Sequence, residues 1–158
     1  MSNATNQIGL EKADMSEVIA KLNNLLSTYH VFYLNVRGYH WNVKGEHFFT
    51  LHPKFEELYT ALQLQIDEIA ERILTLGGTP LHAYSDFTQH TSIQEDKNIK
   101  DGNACVKGVV TGLQALITEQ RKVSALAADS EDQGTADLVD AYVQEQEKLI
   151  WMYNAFLG

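Results

Sequence analysis

Several features that mark common protein classes are scarce or absent in this chain. Cys105 is its only cysteine, so no disulfide can form within the chain, and a reducing compartment suits it. No apolar run reaches the roughly 18 residues that mark a membrane-spanning helix. No signal peptide precedes the first predicted helix. We therefore expect a cytoplasmic protein that does not enter a membrane.

Familiar catalytic motifs are absent as well. The sequence contains no HExxH, no phosphate-binding loop, no GxGxxG after a strand and no GxSxG. It also lacks Glu-x-x-His, the motif that ordinary di-iron bundles carry inside the bundle. No segment alternates with the period of a β-strand over a convincing length. Any active site must therefore be recognised from its ligand pattern alone.

Acidic side chains outnumber basic ones. The chain has 12 Lys and Arg against 21 Asp and Glu, and its formal net charge is −9, so it has no general attraction for phosphate backbones. Residues 1–14, which we expect to form a flexible tail, contain Lys12 as their only basic side chain, balanced by Glu11 and Asp14. Because neutralising phosphates takes several cations, DNA binding is not expected.

Four long segments carry apolar residues three or four positions apart, the pattern of amphipathic helices. We predict helices over about residues 16–42, 50–76, 102–128 and 134–157, with Ser16 as the first N-cap. The connection from Gly77 to Asp101 is too long for a simple bundle turn, so it must cross over, with a short helix over 85–90. The predicted fold is all-α: a ferritin-like four-helix bundle over residues 15–158.

Two pairs of candidate metal ligands lie on the second predicted helix. His52 with Glu56, and Asp67 with Glu71, have i,i+4 spacing, so each pair shares one helical face. Eleven residues separate Glu56 from Asp67, which at about 1.5 Å per residue is roughly 16 Å. Metal–ligand bonds are only about 2 Å long. The pairs can therefore share a metal only if a two-fold axis near residues 61–62 brings an antiparallel second copy against the first.

The apolar residues of the same helix lie on a different face. Their stripe, which includes Phe55, Leu62 and Ile69, is centred roughly 120° from the ligand face at about 100° per residue. The candidate ligands thus flank the subunit's own core, where a partner could reach them. A solvated charged face is the alternative interpretation, since exposed helices commonly carry acids at this spacing and Glu68 and Arg72 are close by.

His40 adds a second imidazole to the set. It stands twelve residues before His52, across a short connection containing Gly45 that can fold the first helix back. Two histidines with several carboxylates form a mixed nitrogen and oxygen donor set, which suits iron, zinc or copper, and a sulfur-rich zinc site is excluded. The alternative for His40 is a core histidine whose hydrogen bonds are satisfied within the bundle.

Two stretches, YHWNVKGEHFFTLHPKFEELY and IDEIAERILTLGG, closely resemble the Dps family of mini-ferritins. The resemblance extends from about Ser16 to the final WMYNAFLG. It implies that two irons bind at each intersubunit site, between His40, His52 and Glu56 of one subunit and Asp67 and Glu71 of its mate. The family usually has aspartate where this chain has Glu56, which keeps the charge and adds one methylene.

The resemblance also implies an activity and an assembly. Members of the family are ferroxidases that oxidise Fe(II) with hydrogen peroxide or O2, store ferric mineral in a hollow shell of twelve subunits and so protect DNA from oxidative damage. By the same resemblance, Trp41 absorbs stray oxidising equivalents near the site. The resemblance further implies that Asp137, helped by Asp132 and Asp140, lines the three-fold pore through which Fe(II) enters. A simpler reading of these acids is favourable charge near a helix N-terminus.

Two further hypotheses remain open at this point. Some family members bind DNA through a basic tail, so the chain could be a nucleoid-associated protein with little ferroxidase role. It could also be a structural helical bundle with no redox role, in which the candidate ligands are idle.

Overall fold

The computed structural model describes residues 4–158, and the regular structure in this part of the chain consists of helices. The elements, in chain order, are α1 (Lys12–Asn42), α2 (Phe48–Thr75), α3 (Tyr84–His90), α4 (Gly102–Asp129) and α5 (Gln133–Leu157). Extended pairing within residues 4–158 is limited to two isolated bridges, Thr5 with Glu11 and Lys44 with Asp101. The predicted all-α bundle, with a crossover that carries a short helix, is confirmed. No helix in residues 4–158 is both long and apolar enough to cross a bilayer.

Helix α1 begins at Lys12, four residues before the predicted N-cap Ser16, which is an exposed residue inside the helix. The reason is Met15, which is 1% exposed and extends the apolar stripe of α1 by one turn. The predicted tail over residues 1–14 is therefore partly helical. Residues 1–3 of that tail lie outside the described part of the chain. In the rest, the Asn6 side chain donates a hydrogen bond of 3.2 Å to the carbonyl of Leu76, at the end of α2.

Helices α1 and α4 approach each other closely in the bundle. A Cβ atom added to Gly112 of α4 would lie 2.2 Å from the ring of Phe32 on α1, so only glycine fits beneath this ring. Both residues are buried, and the core around them draws apolar side chains from all four long helices. Close packing at this point fixes how α1 is placed against α4.

Three buried polar side chains form a closed ring of hydrogen bonds inside the bundle. The Tyr29 hydroxyl donates to Gln120 Oε1 at 2.6 Å, Gln120 Nε2 donates to Gln146 Oε1 at 2.7 Å, and Gln146 Nε2 donates to the Tyr29 oxygen at 2.8 Å. Each of the three residues is no more than 2% exposed. Burial is the main cause that raises the pKa of Tyr29, so the phenol stays protonated and keeps its donor role. The ring joins α1, α4 and α5 through neutral groups.

The crossover between α2 and α4 is held along the side of α1. The Asn35 side chain donates to the carbonyl of Gln94 at 3.0 Å and accepts from the amide of Asp96 at 2.9 Å. The hydroxyl of Tyr39 donates to the carboxylate of Asp96. These contacts fix the part of the connection around residues 92–101, which has no regular secondary structure of its own.

A buried ion pair joins the second half of α2 to the start of α5. Arg72 Nη2 lies 2.6 Å from Asp132 Oδ1, and Arg72 Nε donates to the Thr135 hydroxyl at 2.9 Å. Asp132 is also the N-cap of α5, where its carboxylate accepts from the backbone amide of Thr135 at 3.1 Å. Gly134 leaves room for this arrangement, because a Cβ there would lie 2.8 Å from the guanidinium. The orientation of α2 about its axis is thus tied to the beginning of α5.

We predict that Arg72→Met strongly destabilises the fold. Asp132 is 1% exposed, so loss of its cation leaves a buried carboxylate without a charge partner, which costs about 3 kcal/mol. That corresponds to a fall of roughly 6–12 °C in melting temperature for a domain of this size. Circular dichroism at matched protein concentration measures the change.

The matched control for this prediction is Arg121→Met. Arg121 and Glu147 form an ion pair of similar length, 2.8 Å, but their side chains are 63% and 52% exposed. Removing an exposed pair costs less than about 1 kcal/mol. Equal melting temperatures for the two variants would contradict the structural role assigned to Arg72.

Candidate metal centre

The two predicted histidine ligands are stacked against each other. The ring centroids of His40, in the last turn of α1, and His52, near the start of α2, are 3.8 Å apart with an interplanar angle of 14°. The connection reverses direction between them at Gly45, whose φ of +111° lies in the region that favours glycine. Lys44 anchors the connection by donating its amide to the carbonyl of Lys100 at 2.8 Å. The predicted approach of the two imidazoles is present in the structure.

Reciprocal hydrogen bonds fix the two rings. His40 Nδ1 lies 2.6 Å from the carbonyl oxygen of His52, and His52 Nδ1 lies 2.7 Å from the carbonyl oxygen of His40. A carbonyl oxygen only accepts, so each Nδ1 must carry the proton and donate. In the neutral tautomer each Nε2 then keeps its lone pair free for a metal. The sequence spacing predicted that the rings would meet, but it gave no signal of this exchange of backbone hydrogen bonds.

Aromatic neighbours hold the imidazole pair from both sides. Phe48 stacks on His52 with centroids 4.9 Å apart, and Tyr59 meets His40 edge-on at 5.3 Å. His40 is only 8% exposed. The Tyr59 hydroxyl also lies 3.5 Å from Glu56 Oε1, at the outer limit of a hydrogen bond. The rings therefore sit in a fixed pocket beside Glu56, whose side chain is exposed one turn further along α2.

Asp67 and Glu71 lie on the same exposed face of α2 but far along the helix. Neither takes part in an ion pair with the described residues. Within residues 4–158 of one chain, no three His, Cys, Asp or Glu side chains gather as a possible metal site. Each chain thus presents two incomplete ligand sets: the imidazoles with Glu56, and Asp67 with Glu71.

Exposed leucines accompany the second ligand set. Leu64 and Leu74 are 63% and 58% exposed. At about 100° per residue both fall within roughly 60° of Asp67 on the helical wheel. The two leucines therefore flank Asp67 and Glu71 along one exposed face of α2, where a partner could cover them.

Trp41 lies beside the histidines on the outside of α1. The guanidinium of Arg37 lies 4.8 Å from the centroid of its ring, and also 5.7 Å from the ring of Tyr59. Trp41 remains 59% exposed. The indole is therefore next to the ligand set without blocking it, in contact with a cation that orients it.

The three predicted pore residues have different environments. Asp137 and Asp140 are exposed on α5, and Gln133 donates to Asp137 Oδ1 at 2.7 Å. Asp132 instead is buried, because its carboxylate caps α5 and pairs with Arg72. Its position differs from that of a pore-lining residue, since no solvent reaches it within the subunit. The sequence signal for this was Asp132 standing three residues before Thr135 at a helix start, which is typical of an N-cap.

Known proteins are similar to this chain over most of its length. A family model described as the ferritin-like domain matches residues 19–158. The DNA protection during starvation protein 2 of Bacillus anthracis is 39% identical over 142 residues, which cover 90% of this chain and 97% of that protein. The DNA protection during starvation protein of Porphyromonas gingivalis is 36% identical, with 94% and 93% of the two chains covered.

A solved structure agrees with the fold in detail. The crystal structure of a Dps protein from Vibrio cholerae O1, itself described as a member of the ferritin-like diiron-carboxylate proteins, matches with a TM-score of 0.98. The two sequences are 48% identical, and the match covers 100% of this chain and 99% of that one. Agreement in both sequence and backbone over the whole bundle shows that this chain belongs to the Dps family of ferritin-like proteins.

Proposed function

We propose that the protein stores and detoxifies iron by oxidising Fe(II) at sites shared between two copies of the chain. The observation that carries this proposal is the reciprocal hydrogen bonding of His40 and His52, which leaves both Nε2 atoms free beside Glu56. This is half of a metal site. Iron is the substrate favoured by the description of the similar Vibrio cholerae protein as a member of the ferritin-like diiron-carboxylate proteins.

The other half comes from a second chain in this proposal. A two-fold axis near residues 61–62 sets Asp67 and Glu71 of one copy against His40, His52 and Glu56 of the other. The exposed leucines Leu64 and Leu74 become buried at the same contact. Each pair of chains then holds two sites, with two irons in each site.

The donor set favours oxidation of bound iron. Carboxylate oxygens stabilise Fe(III) more than Fe(II), because the higher charge gains more from anionic ligands. Two Fe(II) ions supply the two electrons that reduce one hydrogen peroxide, with two protons, to two water molecules. Since both electrons leave together, no hydroxyl radical is released. O2 is the other candidate oxidant, and Trp41 is placed to absorb oxidising equivalents that escape this reaction.

Storage requires a closed assembly with an entrance for iron. We propose that the ferric product mineralises inside a hollow shell of twelve chains, and that Asp137 and Asp140 draw Fe(II) through a three-fold pore by focusing negative potential. Asp132 is left out of this pore because it is buried. Removing Fe(II) and peroxide protects DNA without contact, which suits a chain of net charge −9 better than nucleoid binding does.

Fe(II) oxidation by peroxide tests the proposal directly. When peroxide is added to anaerobic protein loaded with Fe(II), we expect ferric absorbance to rise much faster than in buffer, with about two Fe(II) oxidised per peroxide. In His52→Ala the rate should fall by roughly a hundredfold, because a missing first ligand weakens iron binding. Oxidation no faster than in buffer would instead favour a structural bundle.

Mixing two inactive variants tests whether the site is shared. His52→Ala and Asp67→Ala should each be inactive alone, and co-refolding them in equal amounts should restore roughly a quarter of the wild-type activity, since half of the pairs are mixed and each keeps one intact site of two. Initial rates of Fe(II) oxidation measure the recovery.

The control for this mixture uses two substitutions in the same ligand set. His40→Ala mixed with His52→Ala cannot produce an intact site in any pairing, so it should recover nothing. Size-exclusion chromatography confirms that the assemblies are intact. Equal recovery in the two mixtures, or none in either, would rule against a site divided between chains in this way.

Neutralising a pore acid should slow iron uptake without touching the histidine site. We expect Asp137→Asn to reduce the initial rate several-fold at low ionic strength and much less at high salt, because salt screens the attraction of Fe(II) to the pore. The change Glu147→Gln, further along α5, serves as the control. A loss that persists unchanged at high salt would point to damage elsewhere.

A further inference from the structure

We propose a second cation site, separate from the histidines, in the seam between α2 and α5. The seam site consists of Gln65 and Glu68 on α2 with Tyr142 and Glu145 on α5. It binds a hard divalent or trivalent cation through oxygen atoms. Binding there does not depend on the proposed ferroxidase activity, although in an iron-storing protein Fe(II) or Fe(III) is the natural occupant.

The four side chains form two adjacent rungs between antiparallel helices. Gln65 Nε2 lies 3.4 Å from Glu145 Oε2, and the Tyr142 hydroxyl donates to Glu68 Oε2 at 2.5 Å. Residues 65 and 68, like residues 142 and 145, are three positions apart and so lie on one face of their helix. Two carboxylates, an amide and a phenol are therefore collected within about one helical turn of the seam.

Gln65 supplies the observation that points to a ligand. It is 7% exposed, and its Oε1 is buried without a hydrogen-bond partner among the described residues. A buried acceptor that lacks a partner costs about 1–3 kcal/mol. The amide nitrogen already faces the carboxylate of Glu145. A cation coordinated by Oε1 supplies the missing interaction while the nitrogen keeps that contact.

The carboxylates of the seam lack a neutralising partner. Glu68 and Glu145 form no ion pair within residues 4–158. The pKa of Tyr142 is raised mainly by burial. The hydrogen bond to Glu68 and the charge of that carboxylate raise it further, and the charge of Glu145 acts in the same direction. Both carboxylates also raise the pKa of Tyr29, whose ring centroid is 6.2 Å from that of Tyr142. Two negative charges thus act on the same small volume, which favours a cation.

Solvent reaches the seam through a cleft. A cavity of about 450 Å³ runs between α2 and α5, and Glu145 forms part of its wall together with Ala61 and Leu149. Lys54 and Lys148 line the same cavity, but neither is paired with Glu145. An ion can therefore reach the carboxylate without opening the bundle. Because every donor in the seam is oxygen, hard cations are preferred over the softer metals that suit imidazole.

Binding of Tb(III) to a protein without the histidine site tests this inference. Tb(III) is a hard, oxygen-seeking ion whose luminescence is sensitised by a nearby tyrosine such as Tyr142. In the double variant His52→Ala, Asp67→Ala, we expect saturable tyrosine-sensitised luminescence from about one ion per chain. Adding Glu68→Gln or Glu145→Gln should weaken this binding at least tenfold, as the loss of a charged ligand requires.

Glu147→Gln is the matched control, because it removes the same charge from the same helix at a residue paired with Arg121. Binding should be unchanged in that variant. The inference is overturned if the double variant shows no saturable luminescence, or if Glu145→Gln binds Tb(III) as tightly as Glu147→Gln does.

A second measurement separates this inference from the proposed function. In a protein with intact histidines, Glu145→Gln should oxidise Fe(II) at an initial rate within twofold of wild type, while its Tb(III) binding at the seam is lost. Loss of the seam site with normal oxidation supports two independent sites. Loss of oxidation together with Tb(III) binding would mean that the seam is part of the ferroxidase site, and would overturn the separation.

Discussion

The exchange of hydrogen bonds between His40 and His52 is the constraint on which the site depends. Each imidazole uses one nitrogen to bind the other residue's backbone, so the end of α1 and the start of α2 are joined by the same groups that are proposed to bind iron. A metal ligand normally needs a hydrogen-bond partner to fix its tautomer and orientation. Here the helix connection provides that partner for both rings, and the two donor atoms are fixed as a unit.

Neutral polar groups and charged groups occupy different parts of the bundle. The centre is closed by a neutral ring of Tyr29, Gln120 and Gln146, in which each side chain donates one hydrogen bond and accepts one. Ionised groups lie further out, where they meet a cation, as Asp132 meets Arg72, or where solvent can reach them, as at Glu145. The buried charge of Asp132 is compensated by Arg72, and the proposed metal sites lie on the outer faces and seams of the helices.

The sequence predicted the bundle well because the bundle depends on spacing along helices, and the candidate ligand set was chosen by the same kind of spacing. Apolar periodicity located the four long helices, and i,i+4 spacing singled out the two candidate ligand pairs on α2. What it could not predict depends on contacts between distant residues. The burial of Met15 against the core moved the start of α1, and the ion pair with Arg72 removed Asp132 from the surface. Oε1 of Gln65 is buried without a hydrogen-bond partner among the described residues. This also results from packing between α2 and α5, which no local sequence pattern indicates.

The length of α2 explains why a shared site is the natural solution for this fold. A straight helix keeps residues 56 and 67 roughly 16 Å apart whatever their side chains do, so at the histidine pair the described residues of one chain offer iron two imidazoles and one carboxylate. In the proposed pairing, the missing acids arrive with the partner, and iron binding and subunit association stabilise each other. Oxidation is then confined to chains that have assembled, where the product can be enclosed. In this proposal a free subunit brings one carboxylate, Glu56, to the histidines, so Fe(III) is stabilised less there than in the assembled pair.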